Sequence, residues 1–205
     1  MEETAHIIKV ETIRRGTAQE KEADSYVAID LETTGLDPKH DKIIEIGAVL
    51  VIDGEIKETF STFVNPRREL DGRIRELTGI TGEMTAGAPD IGDVIGRVVE
   101  FCRDLPLLGH HIIFDYSFLK RAAVNKGLVF EKSGIDTLTL CRRFMPEEEK
   151  KNLENASRYY GIKQTDAHRA LADALTAHLL YRNVKRSHFS SAPEAFRCKP
   201  LVYKV

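Results

Sequence analysis

The chain has 205 residues, 42% of them hydrophobic and 30% charged, which suits one soluble globular domain with a full-sized core. A net charge of −2 and a pI of about 6.4 exclude an avid, nonspecific nucleic-acid coat. The longest apolar run, Ile43 to Ile52, is too short to span a membrane and contains Glu45. The Met1-Glu2-Glu3-Thr4 start lacks a secretory pattern. Cys102, Cys141 and Cys198 are far apart and form no CxxC pair, so reduced thiols and a cytoplasmic location are expected.

Residues 1–24 are rich in Glu, Lys and Thr, with Ile7-Ile8-Lys9-Val10 the one hint of order; a flexible extension is expected. Tyr26 to Glu32 reads as a buried strand and Ile43 to Ile52 as a central one, apolar on both faces. Asp53-Gly54 is a favoured hairpin turn, and Glu55 to Val64 alternates as an antiparallel third strand ending at Asn65-Pro66. Arg67 to Leu77 predicts a short basic helix broken by Thr78-Gly79-Ile80-Thr81-Gly82. Pro89-Asp90 opens a helix with Ile91, Val94, Ile95, Val98, Val99 and Cys102 at helical spacing. Leu105 to Gly109 reads as a short strand, and Phe114 to Asn125 as a helix closed by Gly127. Ile135 to Leu140 fits either a strand or a helix start. Asn152 caps a helix Leu153 to Tyr160, and Thr165 or Asp166 caps a final one, Ala167 to about Lys185. Residues 187–205 read as a tail, either a docking strand or the stub of a longer chain. Strands first, then helices alternating with strands, predict an α/β fold: a mixed sheet, a three-stranded antiparallel meander plus parallel strands, flanked by helices.

Three places carry carboxylates that such a scaffold does not need. Asp30 and Glu32 stand two apart on a strand, hence on one face. Two like charges side by side are costly unless a cation lies between them; a solvated strand end is the alternative. Asp115 follows a strand and opens a helix, where α/β sheets collect ligand sites; a helix N-cap is the alternative. His168 and Asp173 lie about 140° apart on an ideal helix, so they can flank a site, the Asp ligating and the His holding a water. The alternative is a surface His beside an Arg169–Asp173 (i, i+4) pair. Glu45, amid apolar residues, is either a group behind the site or a solvent-facing Glu. Basic pairs such as Arg67-Arg68, Arg142-Arg143, Lys150-Lys151 and Lys185-Arg186 leave room for a few phosphate contacts.

Together, Asp30-x-Glu32-Thr33-Thr34-Gly35-Leu36, His110-x-x-x-Phe114-Asp115 and His168-x-x-x-x-Asp173 resemble the motifs of the DnaQ-like DEDDh family of 3′→5′ exonucleases, which includes the epsilon-type and PolC-type proofreading domains. The resemblance spans Tyr26 to Lys185. It implies an RNase H-like fold over 25–186 and hydrolysis of single-stranded 3′ ends, DNA favoured, releasing nucleoside monophosphates. It also implies two Mg²⁺ or Mn²⁺ ions held by Asp30, Glu32, Asp115 and Asp173, with His168 taking a proton from water. Thr33, Thr34, Gly35, Leu36, His110, His111 and Phe114 would line the substrate groove, Leu36 wedged against the terminal base. His111 departs from the family, which often has Asn there. Two alternatives stay open: a non-catalytic nucleic-acid-binding or scaffold module, and a proofreading domain acting within a polymerase assembly.

Overall fold

The structure, a computed structural model, describes residues 24–164 and 168–205. Its centre is a six-stranded mixed sheet in the order β3-β2-β1-β4-β5-β6. The meander is β1 (Tyr26–Thr33), β2 (Ile43–Ile52) and β3 (Glu55–Phe63), paired antiparallel. Asp53 and Gly54 both have positive φ, as the predicted two-residue turn requires. Strands β4 (Leu107–Gly109) and β5 (Ser133–Asp136) extend the sheet in parallel beside β1.

Alternation along β1 divides the core. Val27, Ile29 and Leu31 face one apolar cluster, with residues of α3 (Ile91–Cys102) and α4 (Ile112–Asn125). Tyr26 and Ala28 face the other, with residues of α5 (Thr137–Phe144), α6 (Leu153–Tyr159) and α7 (Ala170–His188). Asp30 and Glu32 continue the second series, so strand geometry alone turns both carboxylates toward α7.

Several boundaries differ from expectation for local reasons. The first helix, α1, is Gly72–Thr78 rather than Arg67–Leu77: Arg67 is left-handed, and Asp71 caps the helix by accepting from the Arg73 amide at 2.7 Å. A short helix not anticipated, α2 (Gly82–Ala86), is capped by Thr81, whose hydroxyl accepts from the Met84 amide. Residues 133–144 are both of the forms left open, strand β5 followed by helix α5 with Asp136 as its cap. The last helix begins at Ala170, not Ala167; the caps expected at Thr165 and Asp166 lie outside the described residues, as does the extension over 1–23. Residues 187–205, read above as a tail, continue α7 to His188 and add β6 (Lys199–Pro200), antiparallel to β5. Phe196 in this segment is fully buried against Tyr181 and Phe189.

Candidate active site

The site forms where β1 outruns its neighbour. The β1–β4 pairing stops at Ala28–Leu108, so the amide of Leu31, between Asp30 and Glu32, has no strand partner on that edge. Asp115, in the first turn of α4, takes its place: Oδ1 accepts from the Leu31 N–H at 3.0 Å. Asp115 is buried. It is not the helix N-cap, a position held by His111.

On the other face, α7 comes down directly over the strands. Asp30 stands opposite Gly47 of β2, and a Cβ on Gly47 would lie 2.1 Å from the Leu171 backbone nitrogen. No side chain fits there, and this closeness brings the first turn of α7 to the carboxylates. Asp173 is buried on that turn. Its Oδ2 accepts from the His168 backbone N–H at 3.1 Å, and its Oδ1 from the Gln164 side-chain amide at 2.6 Å. His168 itself lies before the helix in a left-handed conformation, φ 64°, so the helical angle between it and Asp173 does not apply. Ligand atoms of Glu32, His168 and Asp173 lie within 4.8 Å of one another.

The electrostatics follow from the crowding. Burial, then Asp115, Asp173, Glu32 and Glu45, hold the Asp30 carboxyl well above the usual carboxylate range. Burial and the Asp173 and Glu45 charges push Glu32 up to about 7, against the opposing pull of Arg169. Asp115 and Asp173 are raised as well, each chiefly by burial. Side chains from three separated parts of the chain thus converge at a cost in free energy that a cation would reverse. Carboxylate oxygens with one imidazole fit a hard divalent ion.

The loop after β1 is braced from below. The Thr33 hydroxyl donates to the Gly35 carbonyl at 2.6 Å. Asp41 accepts from the Thr34 hydroxyl, the Asp37 amide and the Arg68 guanidinium, and Arg68 also bonds the Thr34 hydroxyl. Gly35 packs on the Asp41 carboxylate so closely that a Cβ would meet it at 2.4 Å. Leu36 projects from this frame 83% exposed.

The second motif divides. Both ring nitrogens of His110 are engaged inside the protein, Nδ1 with the Thr137 hydroxyl at 3.0 Å and Nε2 with the Lys151 carbonyl at 2.6 Å. Burial lowers the pKa of this ring, and because a carbonyl can only accept, Nε2–H is the donor to Lys151. His111 is exposed and left-handed, φ 77°, its amide donating to Asp136 at 2.8 Å. Asn and His are among the few residues that tolerate that backbone, a physical reason for one to stand in for the other. Phe114 is half-buried and packs on Phe118 at 5.0 Å between ring centroids.

Two contacts escaped the sequence. Arg169 does not pair with Asp173 but reaches Glu45 at 2.9 Å. Glu45, one charge in an apolar run, was the available signal, and of its two readings the buried one holds. Gln164 is the other contact, and nothing in its neighbourhood marks it out.

Comparison with known proteins agrees with this geometry. The RNase_T family model, described as "Exonuclease", matches residues 27–181. The chain is 40% identical over 164 residues to DNA polymerase III PolC-type of Clostridium perfringens, covering 80% of this chain and 11% of that protein. It is 43% identical over 168 residues to the Bacillus subtilis counterpart, covering 80% and 12%. The chain therefore spans about a tenth of the length of these curated relatives. Among solved structures, Exonuclease X in complex with 5′ overhanging duplex DNA superposes with a TM-score of 0.64 at 26% identity, covering 82% of this chain and 96% of that one. Escherichia coli Exonuclease I in complex with a dT13 oligonucleotide shares the fold, with a TM-score of 0.70 at 19% identity over 85% of this chain and 43% of that one. With 155 consecutive positions matched (27 to 181) and the carboxylates of all three motifs gathered at one strand end, the chain belongs to the RNase_T exonuclease family.

Proposed function

We propose that this domain is a 3′→5′ exonuclease that removes nucleoside monophosphates from single-stranded DNA ends with the help of two Mg²⁺ or Mn²⁺ ions. The observation that carries the reading is the convergence of Glu32, His168 and Asp173, ligand atoms within 4.8 Å, beside Asp30 and Asp115. Asp30, Glu32 and Asp173 would hold one ion, and Asp30 with Asp115 the other. When bound, such ions neutralise charge on the scissile phosphate and acidify a water.

The chain's own residues do the rest. His168, exposed at the rim of the acidic cluster, takes the proton from the attacking water. The water oxygen bonds to phosphorus, the bond from phosphorus to the 3′ oxygen of the preceding sugar breaks, and that oxygen takes a proton from solvent while His168 gives its own back to solvent. The Thr33–Gly35 backbone holds the terminal nucleotide, and Leu36 packs against its base. His110 supports the groove wall rather than contacting substrate, because its ring nitrogens are taken. The PolC-type relatives favour a proofreading role inside a polymerase over an isolated nuclease. Retention of every motif carboxylate disfavours a module that has lost catalysis.

The test is digestion of single-stranded DNA and RNA labelled at either end, with Mg²⁺, Mn²⁺ or EDTA, alongside Asp30→Ala. A ladder shortening from the 3′ end, abolished by EDTA and by the substitution, is the expected result. A ladder shortening from the 5′ end, or no metal-dependent cleavage by the wild type, overturns the reading.

A further inference from the structure

Glu45 sits in mid-strand on β2, 1% exposed, in one cross-strand row with Glu32 of β1 and Phe63 of β3. A buried carboxylate directly opposite another is costly unless its charge is met. Both oxygens of Glu45 are met, and by consecutive residues. Oε1 accepts from Arg169 Nη2 at 2.9 Å and Nε at 3.2 Å; Oε2 accepts from the Ala170 backbone N–H at 3.1 Å and from Arg169 Nε at 3.3 Å. The guanidinium is steadied from a third side by the Phe63 ring, 5.3 Å from its centroid.

Those two residues follow His168 in the chain and mark where α7 begins. The Arg169 side chain makes no capping bond to its own helix, and the Ala170 N–H is one of the first-turn amides that a helix cannot satisfy internally. Glu45 supplies that acceptor and places negative charge at the positive end of the helix. The start of α7 is therefore anchored to the sheet by a side chain of β2. The anchor lies one residue from His168 and three from Asp173.

We propose that Glu45 is a positioning residue: through Arg169 and the Ala170 amide it fixes the start of α7, and thereby holds His168 and Asp173 against Glu32. The inference rests on the exonuclease reading above.

The experiment compares wild type, Glu45→Gln, Arg169→Lys and Tyr26→Phe in the intact chain. Tyr26→Phe removes a buried hydrogen bond to His178 at 2.9 Å, at the opposite end of β1, and serves as a control for a loss of stability alone. Glu45→Gln keeps the shape and one acceptor but loses the charge-assisted fork; Arg169→Lys keeps the charge and loses the fork. Expected for both is a fall in kcat of about ten-fold or more, the range for groups behind metal ligands. KM should stay within about three-fold. Mn²⁺ binding, followed by electron paramagnetic resonance without substrate, should weaken by about ten-fold. Tyr26→Phe should lower the unfolding midpoint and leave kcat and Mn²⁺ binding alone. A kcat for Glu45→Gln within two-fold of wild type overturns the proposal, as does an equal loss in Tyr26→Phe. Should Glu45→Gln fail to fold, Arg169→Lys decides by the same criteria. A wild type without nuclease activity would instead sink the exonuclease reading, and Mn²⁺ binding would still separate the variants.

Discussion

Asp115 accepts the amide hydrogen of Leu31 at 3.0 Å, tying the second motif to the residue between the two carboxylates of the first. This carboxylate thus has a structural task as well as its proposed ligand role, and the two can be separated. Asp115→Asn keeps an oxygen for the Leu31 amide and loses the charge, so the thermal midpoint should hold while nuclease activity falls by about 100-fold or more, beyond the effect of outer groups. Asp115→Ala leaves a buried donor unmet and should also lose about 1–3 kcal/mol of stability. Denaturant titration beside an activity assay reads both; equal stability of the two variants would deny the amide contact its role.

Gly47 should tolerate nothing larger. A Cβ there would meet backbone rather than a flexible side chain, 2.1 Å from Leu171 N and 2.2 Å from Ala170 C, so α7 must lift for it to fit. Gly47→Ala is expected to cost about 1–3 kcal/mol, typical of overpacking, and to depress kcat because Asp173 moves with the helix. Calorimetry and steady-state kinetics check it; a variant unchanged in both would mean that α7 stands off the sheet.

His178 gives a pH dependence away from the site. It is buried, bonded to Tyr26, and its pKa is depressed from 6.5 to about 4, first by burial and then by Arg182. The unfolded chain binds this proton more readily than the folded one. The contribution is therefore complete above about pH 6.5 and drains away as pH falls toward 4, by up to about 3 kcal/mol at 1.36 kcal/mol per unit. The raised site carboxylates act in the opposite sense over the same range, so the comparison is with His178→Gln at each pH. The wild type's stability advantage should shrink from pH 7 to pH 4; a constant gap would place His178 in water.

Leu36 is the test of the substrate loop. At 83% exposure its side chain contributes little to the fold, and Leu36→Ala should shift stability by less than about 0.5 kcal/mol. If it packs on a terminal base, losing a contact of about 1–3 kcal/mol raises KM by about ten-fold, with kcat less affected. An unaltered KM on short oligonucleotides would move the terminal nucleotide elsewhere.

What could be read from the chain and what could not divide along the range of the interactions. The meander was legible because alternation, an Asp53-Gly54 turn and a doubly apolar β2 are local statements. The paired carboxylates were legible because a strand forces i and i+2 to one face. The start of α7 was not legible, since its anchor is a side chain 125 positions away (Glu45 to Ala170), while the capping residues Thr165 and Asp166 suggest a start at Ala167. The same holds for His110: its motif suggests a groove residue, while Thr137 and Lys151, brought close only by folding, occupy its nitrogens. For the segment after His188 a docking strand is one of the two forms left open; the strand that pairs with β5 is Lys199–Pro200, a pair that no alternation in the sequence marks out.

The left-handed turn at His168 has a mechanical consequence. The carboxylates of Asp30, Glu32, Asp115 and Asp173 stand on one strand and two helices, whereas His168 precedes α7 outside any regular element. In the proposed mechanism, ion binding and proton removal would therefore fall to parts with different backbone support. The two are nonetheless linked: the His168 amide and the Gln164 side chain both bond the Asp173 carboxylate, so disturbing the backbone at His168 would disturb proton removal and the Asp173 side of the cation site together.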